Sequence, residues 1–225
     1  MSEKAIYFED IMKALDEENF DDIEKNAILM REMMVRYHCA LLEVETKFKV
    51  LDNHFSLMHE QNPINSIKSR LKHPRSIIQK LRRYHLPVTI ESAEENLHDI
   101  AGVRIICSFI DDIYTLAECF INQDDITLIE MKDYIKHPKD NGYRSLHLII
   151  SVPVFFKDGK KEMKVEVQLR TIAMDFWANL EHRLRYKKEL DDKLLLSISD
   201  DLLKCANISN DLDRKMQNIK DTIDE

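Results

Sequence analysis

Glycine, proline and cysteine are scarce in this chain. Its 225 residues include three glycines, five prolines and four cysteines. So few glycines and prolines argue against long flexible linkers. The cysteines form no CxxC pair and no metal-finger spacing, which excludes a zinc finger and predicts reduced thiols in a cytosolic protein. They are Cys39, Cys107, Cys119 and Cys205.

Long apolar runs are missing as well. No stretch approaches the roughly 20 residues that a membrane helix needs. The first ten residues, MSEKAIYFED, lack the basic start and apolar run of a signal peptide. Hydrophobic residues nevertheless make up 44% of the chain, enough for a folded core. We therefore expect a soluble, cytoplasmic protein with no membrane partner.

Acidic residues are absent from residues 61–90, a stretch that holds seven lysines and arginines. The rest of the chain has 26 basic and 41 acidic residues, a net charge of −15. A cationic pocket on an anionic body concentrates the electric field on a small, highly charged anion. A long nucleic-acid duplex would be repelled by the rest of the surface, so no stable nucleic-acid partner is expected. The stretch is either a polyphosphate site or an ordinary solvated helix face, and its composition alone does not separate the two.

The spacing of apolar residues predicts helices at both ends of the chain and strands in the middle. Three- and four-residue spacing predicts helices over 8–60, 74–85, 111–122, 173–187 and about 191–223. Extended segments are predicted at 67–72, 102–109, 126–135, 144–156 and 161–171. The predicted fold class is α+β, with a mixed or antiparallel sheet of about five strands flanked by helices. The predicted divisions are an N-terminal helical extension at 1–60, a core at 61–187 and a C-terminal helical extension at 188–225.

The strand predicted at 161–171 alternates between apolar and polar residues. Its polar side carries Lys164, Glu166, Gln168 and Arg170, and the preceding strand and turn place Tyr143, Ser145 and His147 on one side. This pattern is typical of a half-exposed antiparallel sheet, which is the interpretation that the pattern alone favours. It would instead form a ligand-binding floor if the basic helix and a second carboxylate lay over it.

The candidate second carboxylate is Asp99, just before the strand predicted at 102–109. An Asp entering a strand and a Glu in a neighbouring strand can share one Mg²⁺, which prefers carboxylate and phosphate oxygens. Asp99 is equally consistent with a capping role. Arg104 is a charged residue within the same apolar strand, so its side chain needs either an ion pair or a stacked ligand.

Three segments in order, with a fourth upstream, resemble the synthetase domain of the RelA/SpoT homologue family. They are HDIAGVRIICSFIDDIY, KDNGYRSLHLII and VEVQLRTIAMDFWANLEHRLRYK, preceded by NPINSIKSRLKHPRSIIQKLRRY. The resemblance runs continuously over about 62–187. With no room upstream for the hydrolase domain of the long members and no regulatory modules downstream, the chain resembles the small alarmone synthetases, and the type often called RelP.

The resemblance implies a nucleotidyltransferase-like fold and (p)ppGpp synthesis in the stringent response. In that reaction the pyrophosphoryl group of ATP moves to the ribose 3′-hydroxyl of GDP or GTP, and AMP is released. It also implies that Mg²⁺ is bound by Asp99 and Glu166, and that Glu166 draws the proton from the 3′-hydroxyl. The small synthetases assemble as homotetramers, so the same assembly is implied here.

The resemblance further assigns residues to the two nucleotides. On the ATP side, Arg70 and Arg104 would sandwich adenine, and the phosphates would be held by Lys72, Ser76, Lys80 and Arg83. On the GDP or GTP side, Tyr143 would stack on guanine, and its ring would then matter more than its hydroxyl. The acceptor site would also be lined by Lys139, Arg144, His147, Gln168 and Arg170.

Two alternatives remain. A relative on the same fold that pyrophosphorylates tRNA or adenine nucleotides should carry a basic surface for tRNA, whereas this chain is acidic outside 61–90. A non-catalytic nucleotide- or RNA-binding regulator could lose Asp99 or Glu166 freely, and both are present. Regulation also stays open, because the related product-stimulated subtype often carries Asn at the position of Asp175.

Overall fold

A computed structural model describes residues 20–58, 62–186 and 192–224. Its strands are β1 (Ile64–Leu71), β2 (Ala101–Cys107), β3 (Thr127–Asp133), β4 (Leu146–Phe156) and β5 (Gly159–Thr171). They form one five-stranded sheet in the order β1-β2-β5-β4-β3. Neighbouring strands β2 and β5 are parallel, and the other three neighbouring pairs are antiparallel. The predicted α+β fold with a mixed sheet is confirmed.

Helices flank this sheet within the described ranges. They are α1 (Phe20–Met58), α2 (Pro74–Arg83), α3 (Ile90–Asn96), α4 (Ile110–Ile121), α5 (Ile172–Tyr186) and α6 (Asp192–Asp224). The first part of the predicted N-terminal helix, 8–19, lies outside the described residues. Helix α3 was not predicted, because its seven residues are too few to show a helical period. None of the helices in the described ranges is both long and apolar enough to cross a membrane.

The apolar core lies between one face of the sheet and helices α1, α2 and α4. Helix α1 buries Tyr37 and Phe48, and the Phe48 ring stacks on Phe120 of α4 with 4.5 Å between centroids. On β5, Val165 and Val167 point into this core and are fully buried. Since alternate residues of a strand face opposite sides, the polar residues of β5 lie on the other face of the sheet. Helix α1 and the sheet share this core. The predicted division of the chain into 1–60, 61–187 and 188–225 stays a prediction.

Candidate active site

A cleft of about 580 Å³ opens over the polar face of the sheet, with α5 as one wall. Strand register aligns one residue from each strand into a row across this face: Lys68, Arg104, Gln168, His147 and Lys132. The next row is Arg70, Gly102, Glu166, Ile149 and Glu130. Gly102 has no side chain to project into the cleft, so the floor stays open between Arg70 and Glu166. The alternation predicted for β5 therefore forms the floor of a concave site.

Asp99 lines this cleft and belongs to the segment that connects α3 to β2. Two lysines of the acid-free stretch 61–90 contact it. Its Oδ2 accepts a hydrogen bond from Lys80 Nζ at 2.7 Å and a second from Lys72 Nζ. Its Oδ1 is buried and has no hydrogen-bond partner among the described residues. Burial raises the pKa of Asp99, but the two lysine hydrogen bonds outweigh it and the net pKa lies below its usual value. Asp99 is therefore an ionised carboxylate, and its second oxygen makes no hydrogen bond within the described residues.

Glu166 lies on β5 in the same cleft, half-buried. Its Oε2 accepts a hydrogen bond from Gln168 Nε2 at 2.9 Å, and its Oε1 lies 3.3 Å from His147 Nδ1. Burial raises the pKa of Glu166, whereas the hydrogen bond and charge of His147 lower it, and the net pKa lies below its usual value. The nearby Asp99 charge works in the opposite direction. Glu166 is thus ionised near neutral pH and can accept a proton.

A hydrogen-bonded chain runs from Glu166 to the loop before β4. The hydroxyl of Tyr143 lies 2.7 Å from His147 Nε2, and Arg170 Nη2 donates a hydrogen bond to the same hydroxyl. The ammonium of Lys139 lies 5.0 Å from the centre of the Tyr143 ring, a cation–π distance. An aromatic ring with cations around it therefore closes this end of the cleft.

Two arginines on the first two strands of the sheet also line the cleft. Arg70 of β1 and Arg104 of β2 project from adjacent strands into the cleft. Arg104 donates to Asp175 Oδ1 at 3.1 Å, while its buried Nε has no hydrogen-bond partner in the described part of the chain. The sequence predicted either an ion pair or a stacked ligand for Arg104; the ion pair is present, and the planar group also borders the cavity.

Three other predicted residues, Ser76, Arg83 and Arg144, do not line the cleft. The backbone N–H of Ser76 donates to His73 O at 2.9 Å, and the Arg83 guanidinium lies 5.2 Å from the Tyr84 ring centre. Arg144 turns toward α6, where it donates to Ala206 O at 3.4 Å and to Asn207 Oδ1 at 3.4 Å. Its shortest hydrogen bond is to Gly142 O at 3.0 Å. Arg144 therefore stabilises the loop and does not form part of the cavity wall.

Several residues that line the cleft were given no individual role by the sequence analysis. They are Lys68, Asn179, Glu181, His182 and Arg183. A signal was present on α5, because Asn179, His182 and Arg183 recur at three- and four-residue spacing on one helix face. Nothing in the sequence showed that this face would meet the sheet rather than solvent.

Known proteins share both the sequence and the fold. Residues 69–191 match the family described as "Region found in RelA / SpoT proteins". The GTP pyrophosphokinase YwaC of Bacillus subtilis (strain 168) is 43% identical over 206 residues, which cover 92% of this chain and 97% of YwaC.

Two solved structures from Bacillus subtilis have the same fold. Small alarmone synthetase 1, bound to its product pppGpp, matches with a TM-score of 0.78 and 34% identity over 87% of this chain and 98% of that one. Small alarmone synthetase 2 matches with a TM-score of 0.75 and 42% identity over 86% and 98% of the two chains. Sequence and fold therefore point to the same group of proteins.

Proposed function

We propose that the cleft makes (p)ppGpp, because the chain belongs to the RelA/SpoT family as a small alarmone synthetase. It is a GTP pyrophosphokinase, which moves the β,γ-pyrophosphoryl group of ATP to the ribose 3′-hydroxyl of GDP or GTP and releases AMP. The observation that carries this proposal is the position of Asp99 and Glu166. The two carboxylates line one cleft together with Arg70, Arg104 and Tyr143, whose ring has cations beside it.

The arginine end suits ATP. Diagonal neighbours on antiparallel strands have Cα atoms roughly 7–8 Å apart, which leaves room for one planar ring between the guanidinium groups of Arg70 and Arg104. The triphosphate would then extend toward the lysines that meet at Asp99, Lys72 and Lys80. Ser76 and Arg83 lie on the same basic helix, and we assign them to the outer phosphates.

The aromatic end suits the guanine nucleotide. Tyr143 offers a ring face to the base, and Lys139 and Arg170 lie beside it to bind the acceptor phosphates or ribose. Gln168 and His147 complete the floor between Tyr143 and Glu166. Arg144 contributes here through the loop that it ties to α6.

Glu166 then acts as the general base. Its carboxylate accepts the proton of the 3′-hydroxyl as the ribose oxygen attacks the β-phosphorus of ATP. A new bond forms between the 3′-oxygen and the β-phosphorus, the bond from the β-phosphorus to the bridging oxygen breaks, and AMP leaves with that electron pair. Lys72 and Lys80 neutralise the charge that gathers on the transferred phosphates.

The carboxylates of Asp99 and Glu166 fit a magnesium ion. The buried, unpartnered Oδ1 of Asp99 is a hard oxygen donor of the kind that Mg²⁺ prefers. The described residues hold no cluster of three or more metal-ligating side chains, so substrate phosphates and water would complete the shell. When bound, Mg²⁺ would supply charge neutralisation on the phosphates.

The surface suits association with further copies of the chain, and we propose a cytoplasmic homotetramer. Exposed apolar residues recur every four positions along α5, with relative exposures of 40–65%. They are Ile172, Phe176, Leu180 and Leu184. Contiguous exposed apolar patches on a folded chain are typical of protein–protein contacts.

One experiment tests the reaction. Purified protein is incubated with ATP labelled on the γ-phosphate, Mg²⁺ and one acceptor at a time: GDP, GTP, AMP or tRNA. We expect the label in ppGpp with GDP and in pppGpp with GTP, with AMP as the co-product. Label in AMP-derived products or tRNA would instead support the alternative acceptors, and no transfer would support a binding protein.

A further inference from the structure

The buried carboxylate of Asp175, at the start of α5, accepts hydrogen bonds from four polar side chains. Its Oδ1 accepts hydrogen bonds from Arg104 Nη1 at 3.1 Å and from Arg170 Nη1 at 3.4 Å. Its Oδ2 accepts from Lys68 Nζ at 3.1 Å and from Asn179 Nδ2 at 2.9 Å. Only 6% of Asp175 is exposed, so these contacts form largely out of water. Cations from three strands, β1, β2 and β5, therefore converge on one residue of α5.

The two arginines need this carboxylate. The pKa of Arg104 is lowered first by burial and then by the charge of Arg170. Burial raises the pKa of Asp175, but the hydrogen bond from Lys68 and the charge of Arg104 outweigh it and keep the net pKa below its usual value. An ionised carboxylate between two guanidinium groups offsets their repulsion and fixes where each one points. Without it, two like charges would share a half-buried site unpaired.

Arg104 and Arg170 meet at this carboxylate but belong to different nucleotide sites in the proposed function. Arg104 borders the end assigned to adenine, and Arg170 contacts Tyr143, the residue assigned to guanine. We propose that Asp175 is a positioning residue that orients Arg104 for ATP and Arg170 for the acceptor at the same time. This inference rests on the proposed function, because that function assigns the two arginines to different substrates.

The test is a set of steady-state measurements on Asp175→Asn, Arg104→Ala, Arg170→Ala and the two double variants. We expect Asp175→Asn to raise the KM for ATP and the KM for GDP together, each roughly tenfold. Arg104→Ala should raise mainly the KM for ATP, and Arg170→Ala mainly the KM for GDP. Adding Asp175→Asn to Arg104→Ala should raise the KM for ATP no further, because residues that act through one contact are not additive. The same should hold for GDP in the Arg170→Ala background.

Asp213→Asn is the matched control. Asp213 is also a buried aspartate, 7% exposed, but it accepts a hydrogen bond from Thr171 Oγ1 at 2.6 Å and does not line the cleft. Both variants should lower the melting temperature, and only Asp175→Asn should change the two KM values. If Asp175→Asn does not fold, Asn179→Ala removes one hydrogen bond from the same carboxylate and should raise both KM values by a smaller factor.

The outcomes separate the inference from the function. Both KM values within twofold of wild type, a change in one KM only, additive double variants, or the same KM pattern in Asp213→Asn would each overturn the role of Asp175. If the arginine variants behave as assigned while Asp175→Asn does not, only this inference fails. If the wild-type protein makes no pyrophosphorylated guanine nucleotide, the proposed function fails.

Discussion

The hydroxyl of Tyr143 lies 2.7 Å from Nε2 of His147. The other ring nitrogen of His147 lies 3.3 Å from Oε1 of Glu166, so one imidazole connects the aromatic residue to the proposed base. The sequence predicted that the ring of Tyr143 would matter more than its hydroxyl. The geometry adds a role for the hydroxyl, which fixes the orientation of His147 and Arg170.

Replacing Tyr143 separates these two roles. Tyr143→Phe keeps the ring but leaves two polar groups without their partner, which typically costs about 1–3 kcal/mol. We expect kcat to fall roughly tenfold while the KM for GDP stays near wild type. Tyr143→Ala should also raise the KM for GDP, with little effect on the KM for ATP. If Tyr143→Ala melts early but keeps the wild-type KM for GDP, the assignment of the acceptor end is wrong.

Removing the base should stop synthesis without stopping ATP binding. Glu166→Gln keeps the size and one hydrogen-bond acceptor of the side chain but cannot take the proton. Loss of a general base typically costs ~10²–10⁴ in rate, and we expect at least that fall in kcat. Binding of a non-hydrolysable ATP analogue, measured by calorimetry, should stay within a few-fold of wild type. Turnover close to wild type would remove Glu166 from the mechanism.

The pH profile of the wild type checks the same residue. Because the pKa of Glu166 lies below its ordinary value of 4.5, the carboxylate is ionised throughout the neutral range and becomes protonated only as the pH falls through the lowered pKa. We therefore expect kcat/KM to show no loss from Glu166 between about pH 6 and about pH 8. An acid limb in that range that vanishes in Glu166→Gln would contradict the lowered pKa.

Asp99 should act through the metal. Asp99→Asn keeps the shape of the side chain but removes the charge that the unpartnered oxygen would offer to Mg²⁺. We expect activity to fall by roughly 10²-fold or more, and the residual rate to rise as Mg²⁺ is increased. The measurement is a Mg²⁺ titration of both proteins at saturating nucleotides. A residual rate that does not respond to Mg²⁺ would argue against Asp99 as a ligand.

Arg70 and Arg104 are proposed to contact ATP and not GDP, so replacing Arg70 should change the two KM values unequally. Arg70→Ala removes one stacking face from adenine, and loss of base stacking is worth about 1–3 kcal/mol. The KM for ATP should therefore rise roughly tenfold, with the KM for GDP little changed. Arg82→Ala, which removes an exposed arginine from the same basic segment, is the matched control. Equal loss for both nucleotides in Arg70→Ala would mean that the arginine supports the fold instead.

The exposed residues Ile172, Phe176, Leu180 and Leu184 form an apolar ridge along α5, and this ridge supports the proposed homotetramer. Light scattering at micromolar concentration should give about four times the chain mass of 26.6 kDa. Phe176→Asp places a charge on the ridge at a position that is 65% exposed, so it should weaken assembly without disturbing the core. A wild-type mass equal to one chain would refute the tetramer.

Local patterns in the sequence were enough to predict the strands, the long helices and the polar side of β5. The two-residue alternation of β5 depends only on local backbone geometry, so the side that carries Glu166, Gln168 and Arg170 could be read directly. The acid-free segment likewise marked the lysines that meet Asp99 before any contact was known. The motifs that resemble the RelA/SpoT family extended this list, but cleft residues of α5 such as Asn179 and His182 were not in it.

Which of these residues meet depends on how the helices and strands pack. Lys68 and Asp175 are 107 positions apart in the chain, and their contact depends on how α5 packs across the sheet. Gly142, whose φ is +85°, lies two residues before Arg144, and Arg144 donates to Ala206 O of α6 at 3.4 Å. Such contacts join elements that no local period connects, so their geometry follows from packing and from the pairing of buried charges.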